Sequence, residues 1–162
     1  MTLPPRLSAM LRFALCGALM ALVAAMGGAV TAPQIAGWYA ALAKPVWTPP
    51  NWAFPLAWTV LYALMAVVLF RLWCLAPGTA GKRSAIGLFL GQLALNALWS
   101  PVFFGLQAPW AGLGVIVALL VVLGRALVAV FAVDKLAGWL LVPYLLWVCY
   151  ASTLNAAIAV LN

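Results

Sequence analysis

The chain has 162 residues, of which 69% are hydrophobic and 6% charged, with nine tryptophans, one acidic side chain and no histidine. A soluble domain carries about 25% charged residues, so this composition describes an all-α integral membrane protein: lipid leaves no partner for unpaired backbone groups outside a helix or closed barrel. Without histidine or a second carboxylate there is no histidine base, no histidine-held haem, no ordinary zinc site and no carboxylate-pair hydrolase.

A hydrocarbon core about 30 Å thick takes about 20 apolar residues of helix per crossing. The first uncharged run follows Arg12 and predicts a helix near 9–31. Arg6, Arg12 and the small residues around Thr31 resemble a cleaved leader, but the apolar run is longer than the usual leader core, which favours a retained span. Residues 32–50 form a connection stiffened by Pro33, Pro45, Pro49 and Pro50 and rich in Trp and Tyr. It is either a structured lid or an aromatic belt at headgroup depth.

A second helix is expected near 51–74, with Pro55 in its first turn, where proline costs little. Segment 75–83, with Pro77, Gly78, Gly81, Lys82 and Arg83, reads as a plain turn. The 41 uncharged residues from Ser84 to Gly124 are too long for one span, and Gln107-Ala108-Pro109 divides them into helices near 84–106 and 110–131. The pair Asp134-Lys135 reads as a solvated loop before a fifth helix near 137–160. The expectation is a five-helix transmembrane bundle, one domain over residues 1–162.

The formal net charge of +7 concerns topology rather than nucleic acid. Arg6, Arg12, Arg71, Lys82, Arg83, Arg125 and Lys135 fall toward the amino-terminal side, and Lys44 alone falls on the other. The positive-inside rule then places the amino terminus in the cytoplasm and favours a bacterial inner membrane. Arg125, inside the fourth helix, either snorkels to the interface or pairs with carbonyls or an anion. Cys16, Cys74 and Cys149 have no CxxC spacing and imply neither metal nor disulfide. No phosphate-binding loop or dinucleotide fingerprint is present, and no cofactor is expected.

Three helices carry large aromatics or neutral amides on one face at helical spacing. These are Trp58, Tyr62 and Met65 on the second, Gln92, Asn96 and Trp99 on the third, and Trp147, Ala151 and Asn155 on the fifth. They either line a cavity suited to a flat apolar ligand or join the helices by packing and interhelical hydrogen bonds. The small Ala151, one turn from Trp147, leaves room for a cavity. Gly87 and Gly91 form a GxxxG pair about 180° from Asn96, which points to a dimer through the third helix or to packing within the chain. Pro101 and Pro143 interrupt predicted helices and are candidate kinks.

The run Trp38-Tyr39-x2-Leu42-x-Lys44-Pro45-x-Trp47-x-Pro49-Pro50, followed by Phe54-Pro55-x2-Trp58-x3-Tyr62, closely resembles the translocator protein family, also called TspO, the tryptophan-rich sensory proteins or the peripheral benzodiazepine receptors. Gln92-x3-Asn96-x2-Trp99-Ser100-Pro101-x-Phe103-Phe104-Gly105 and Pro143-Tyr144-x2-Trp147-x3-Ala151-x2-Leu154-Asn155 resemble its third and fifth helices, and the likeness runs from about residue 10 to 160. The resemblance implies a five-helix bundle, often a homodimer, that binds porphyrins such as protoporphyrin IX or drug-like flat ligands and, in animals, cholesterol. It implies Trp58 and Trp147 as pocket tryptophans proposed to hold the ligand and to take part in porphyrin breakdown. Trp38, Tyr39 and Trp47 would belong to the lid, while Tyr62, Asn96, Trp99 and Ala151 would line the cavity. Val46 replaces a tryptophan of some relatives, and no Lys or Arg follows Tyr150, so the sterol motif is incomplete. The implied functions are sensing or binding of tetrapyrroles, their light- or oxygen-dependent degradation, or transport of porphyrin or sterol.

Overall fold

A computed structural model describes residues 5–162, with side chains from Leu7 onward; Arg6, counted above among the topology charges, lies outside the described side chains. Six α-helices follow in order: α1 (Pro5–Ile35), the short α2 (Trp38–Ala41), α3 (Ala53–Cys74), α4 (Lys82–Ser100), α5 (Pro109–Val133) and α6 (Lys135–Leu161). A π-turn over Pro101–Gly105 continues α4. Five of these stretches are long and apolar enough to cross a membrane; even the 22 residues of α3 reach about 33 Å at 1.5 Å per residue. The protein is an all-α, multi-pass integral membrane protein.

One helix end lies beyond where proline would place it. α1 runs through Pro33 to Ile35, because a proline in the last turn forfeits one backbone bond, and the ring's fixed φ remains helical. Pro101 does not end its helix either. The backbone widens into the π-turn, closed by the Leu106 N–H donating to the Pro101 carbonyl at 2.9 Å, and the chain then reverses at Gln107, whose φ is +51°. Pro143 lies inside an unbroken α6, and Pro55 sits in the first turn of α3.

The helices pack in a closed ring rather than in chain order. α1 lies against α3, α3 against α6, α6 against α5 and α5 against α4, while α4 and its π-turn return to α1. Met65, Leu72, Phe89, Leu123, Leu141 and Tyr144 fill the main core. A smaller core of Tyr39, Phe103, Phe104 and Ile158 closes the end beneath α2. Large apolar side chains such as Leu22, Met26, Val121, Leu146 and Val160 stay exposed, as a surface solvated by hydrocarbon requires.

At the opposite end, the Asp134-Lys135 loop departs from the solvated turn expected of it. Asp134 caps α6, accepting the Ala137 N–H at 3.0 Å. Its carboxylate also receives Arg71 Nε at 2.9 Å and Nη2 at 3.0 Å. Burial works against this carboxyl, but the Arg71 and Ala137 donors outweigh it and hold the group below its ordinary range. The single carboxylate side chain thus fastens the end of α3 to the α5–α6 junction. Arg125 is exposed on α5.

Candidate ligand cavity

The ring of helices does not close fully at the α2 end. A cavity of about 680 Å³ remains between α1, α3, α4, α5 and α6, beneath Tyr39, within the ~300–1,000 Å³ typical of small-molecule sites. α1 supplies a wall of small residues, Gly17, Ala21, Ala24 and Gly28, which recur every three or four positions and so share one helical face. The absence of bulk on that face makes the space. Its signal in the sequence is this GxxxAxxAxxxG spacing, which carries no aromatic or polar residue to mark it.

The facing walls are aromatic. Trp58 stacks on Tyr62 with ring centroids 5.3 Å apart and meets Trp147 edge-on at 6.4 Å. Phe54 abuts Trp147 at 6.1 Å. Across the cavity, Trp99 stacks on Phe103 at 4.9 Å and meets Phe104 edge-on at 5.8 Å. Such offset and edge-on pairs are the favoured arrangements of quadrupolar rings.

The polar groups both line the cavity and join the helices. Tyr62 donates its hydroxyl to Asn96 Oδ1 at 2.7 Å, tying α3 to α4. Trp99 Nε1 donates to Asn155 Oδ1 at 3.0 Å, and Asn155 Nδ2 donates to the Pro109 carbonyl at 2.8 Å, tying α4, α6 and the start of α5. The indole N–H of Trp147 is enclosed and has no hydrogen-bond partner among the described residues. No charged side chain and no cysteine lines the cavity among those residues, so its walls offer ring faces and neutral donors rather than acids, bases or nucleophiles.

Of the residues expected at the site, Tyr39, Trp58, Tyr62, Asn96, Trp99, Trp147 and Ala151 all border the cavity. Trp38 and Trp47 do not. Trp38 packs behind the roof on Phe103 and Phe104, at 5.6 and 6.2 Å. Trp47 is 52% exposed, and its carbonyl accepts the Tyr150 hydroxyl at 2.7 Å. The connection therefore divides: Trp38 and Tyr39 turn inward, whereas Val46, Trp47 and Trp52 face outward. Burial pushes the Tyr39 phenol above its ordinary pKa, so it remains a neutral donor. Lys44 sits 4.8 Å over the Tyr39 ring and donates to the carbonyls of Leu42 and Ala40. The side chains of Thr31, Asn51, Thr59 and Ser100 also border the cavity.

On the outer face of α4, Gly87 has open space where a Cβ would stand, while Gly91 faces Val122 of α5, 3.7 Å from its would-be Cβ. Gly91 thus packs within the chain, and Gly87 does not.

A profile of the TspO/MBR family matches residues 15–161. The chain is 45% identical over 136 residues to the tryptophan-rich protein TspO of Archaeoglobus fulgidus, covering 84% of this chain and 87% of that one. It is 41% identical over 142 residues to the tryptophan-rich sensory protein of Cereibacter sphaeroides, covering 88% and 83%. Against the human translocator protein it is 43% identical over 123 residues, covering 73% and 70%. With both the likeness spread over the five spans and the aromatic cavity they enclose, the chain belongs to the TspO/MBR family.

Proposed function

We propose that the protein binds tetrapyrroles, protoporphyrin IX in particular, and related flat apolar molecules as a membrane sensor or binding protein. The observation that carries this reading is the uncharged cavity, walled by stacked indole, phenol and phenyl rings and enclosed by five apolar helices. Ring faces favour a flat aromatic guest, and the unpaired Trp147 N–H offers an edge contact. The porphyrin's carboxylates would lie toward Lys44 and the headgroups. Titration of detergent-purified protein with protoporphyrin IX, read by tryptophan quenching in the dark, is expected to saturate. Trp58→Ala and Trp147→Ala should each weaken binding about tenfold, the scale of ~1.4 kcal/mol for a lost aromatic contact. Unchanged affinity in both variants would refute this placement.

The edge-on Trp58–Trp147 pair beside the cavity favours a second reading, in which these indoles take part in oxidative porphyrin breakdown under light and oxygen. Loss of the porphyrin spectrum at an equal rate in the dark without oxygen would argue against it. The charge asymmetry supports a cytoplasmic amino terminus in a bacterial inner membrane, which reporter fusions at each terminus test. The open surface at Gly87 supports a homodimer through α4. Gly87→Leu should shift the detergent-solubilised protein to monomer in sedimentation, and an unshifted dimer would place the interface elsewhere.

A further inference from the structure

A second concavity lies on the outer side of the bundle. A groove of about 640 Å³ runs between α3 and α6, bordered by Ala53, Ala57 and Val60 on one side and by Pro143, Leu146 and Tyr150 on the other. All of these positions fall inside the two spans, and none is charged, so the groove opens toward lipid hydrocarbon. Trp147 borders this groove as well as the inner cavity. One indole ring is the wall they share.

The ring rests against Phe54, Trp58 and Tyr150, and three features favour its movement. The α3 side of the groove carries the small side chains of Ala53 and Ala57 among the larger Leu56, Val60 and Leu61, and the two alanines leave room on the groove side of the indole. Pro143, one turn before Trp147, removes a backbone hydrogen bond from α6, and proline sites are where helices bend. The Trp147 N–H has no hydrogen-bond partner among the described residues. By contrast, the cover over α2 is tied down. Asn162 accepts the Ala43 N–H at 3.0 Å and donates to the Ala43 carbonyl at 3.1 Å. Tyr150 holds the Trp47 carbonyl, and Gln107 donates to Gln34 at 3.1 Å.

We propose that the groove between α3 and α6 is a lateral portal that holds a lipid acyl chain at rest, and that the cavity's ligand enters from the bilayer there as Trp147 swings aside. A ligand dissolved in the membrane then reaches the cavity without breaking the ties of the cover. This inference rests on the reading of the inner cavity as a ligand site.

The test uses the full chain reconstituted in phosphatidylcholine bilayers, with two probes. Ala57 and Val60 border the groove but not the cavity, so Ala57→Phe should obstruct the portal and spare the site. Stopped-flow mixing with protoporphyrin IX should give association and dissociation rates at least fivefold lower in Ala57→Phe, with Kd within twofold of wild type. Asn162→Ala, which loosens the cover, should leave both rates unchanged. Independently, lipid brominated at mid-chain should quench the Trp147 emission, obtained as the difference between wild type and Trp147→Phe, and Ala57→Phe should roughly halve that quenching. If Ala57→Phe fails to fold, Val60→Phe replaces it. Wild-type rates in the groove variant together with faster exchange in Asn162→Ala would overturn the portal. Should wild type bind no porphyrin, the tetrapyrrole reading falls, and the brominated lipid alone decides: an unquenched Trp147 refutes the portal, and quenching relieved by Ala57→Phe sustains it.

Discussion

Replacing Asp134 separates two contributions that meet at one carboxylate. Its side chain is 9% exposed and that of Arg71 37%, so the pair is neither a surface ion pair, worth about 0–1 kcal/mol, nor a fully buried one, whose breaking costs about 3–5 kcal/mol. The bidentate geometry at 2.9 and 3.0 Å is the favourable one. Asp134→Asn keeps an acceptor for the Ala137 N–H but removes the charge, and should cost about 1–2 kcal/mol, between those limits. Asp134→Ala also removes the cap, adding about 1 kcal/mol. The difference between the two variants therefore measures the cap, and a cycle with Arg71→Met measures the pair. Because the carboxyl's pKa is lowered in the fold, its contribution is complete above the ordinary value of 3.8 and fades as the pH falls below it. Unfolding of the purified protein by dodecyl sulfate at pH 7 and pH 3 is the assay. Equal stability of wild type and both variants at pH 7, or an unchanged gap at pH 3, would refute the reasoning.

Two further substitutions probe the cavity wall. Tyr62→Phe leaves Asn96 Oδ1 without its donor and should lower stability by about 1–3 kcal/mol, the cost of an unsatisfied buried acceptor; thermal unfolding within a few tenths of wild type would contradict it. Gly112→Ala acts on the cavity from outside it. The new Cβ would stand 2.9 Å from Phe103 Cδ2 and 3.2 Å from Asn155 Oδ1, so the Trp99–Asn155 bond must shift. The expected result is an altered tryptophan emission maximum and a loss of about 1–3 kcal/mol, as for overpacking elsewhere; an unchanged spectrum and stability would show that Phe103 yields freely.

The five spans are legible because hydrocarbon tolerates few charges, and an uncharged run of helical length has few other uses. The inward faces of α3, α4 and α6 are legible for a related reason: Trp58, Tyr62, Asn96, Trp99 and Trp147 recur at helical spacing, and tertiary packing keeps that register. Proline misleads at Pro33, where α1 runs on to Ile35, whereas at Pro101 the kink expected inside the helix takes the form of a π-turn; the surrounding contacts choose among these outcomes. Asp134 finds Arg71 across 63 positions of chain, a pairing that no local pattern announces. The wall of α1 escapes notice because glycine and alanine act there by what they lack. The division of the 32–50 connection depends on which rings reach Phe103 and Phe104, and that is a property of the assembled bundle.

The π-turn at Pro101–Gly105 also bears on how this chain can change length. An α-helix turns 100° per residue, so adding or removing one residue inside a span rotates everything beyond it by more than a quarter turn. A π-turn already holds one residue more than an α-turn and absorbs it locally. Deleting a residue between Pro101 and Gly105 would restore α-helical winding while leaving Gln92, Asn96 and Trp99 undisturbed, since they precede it. The loss would fall on Phe103 and Phe104, one of which would turn away from the roof. This segment is therefore where the chain can accept a one-residue length change by reshaping the upper wall of the cavity while α4 keeps its register.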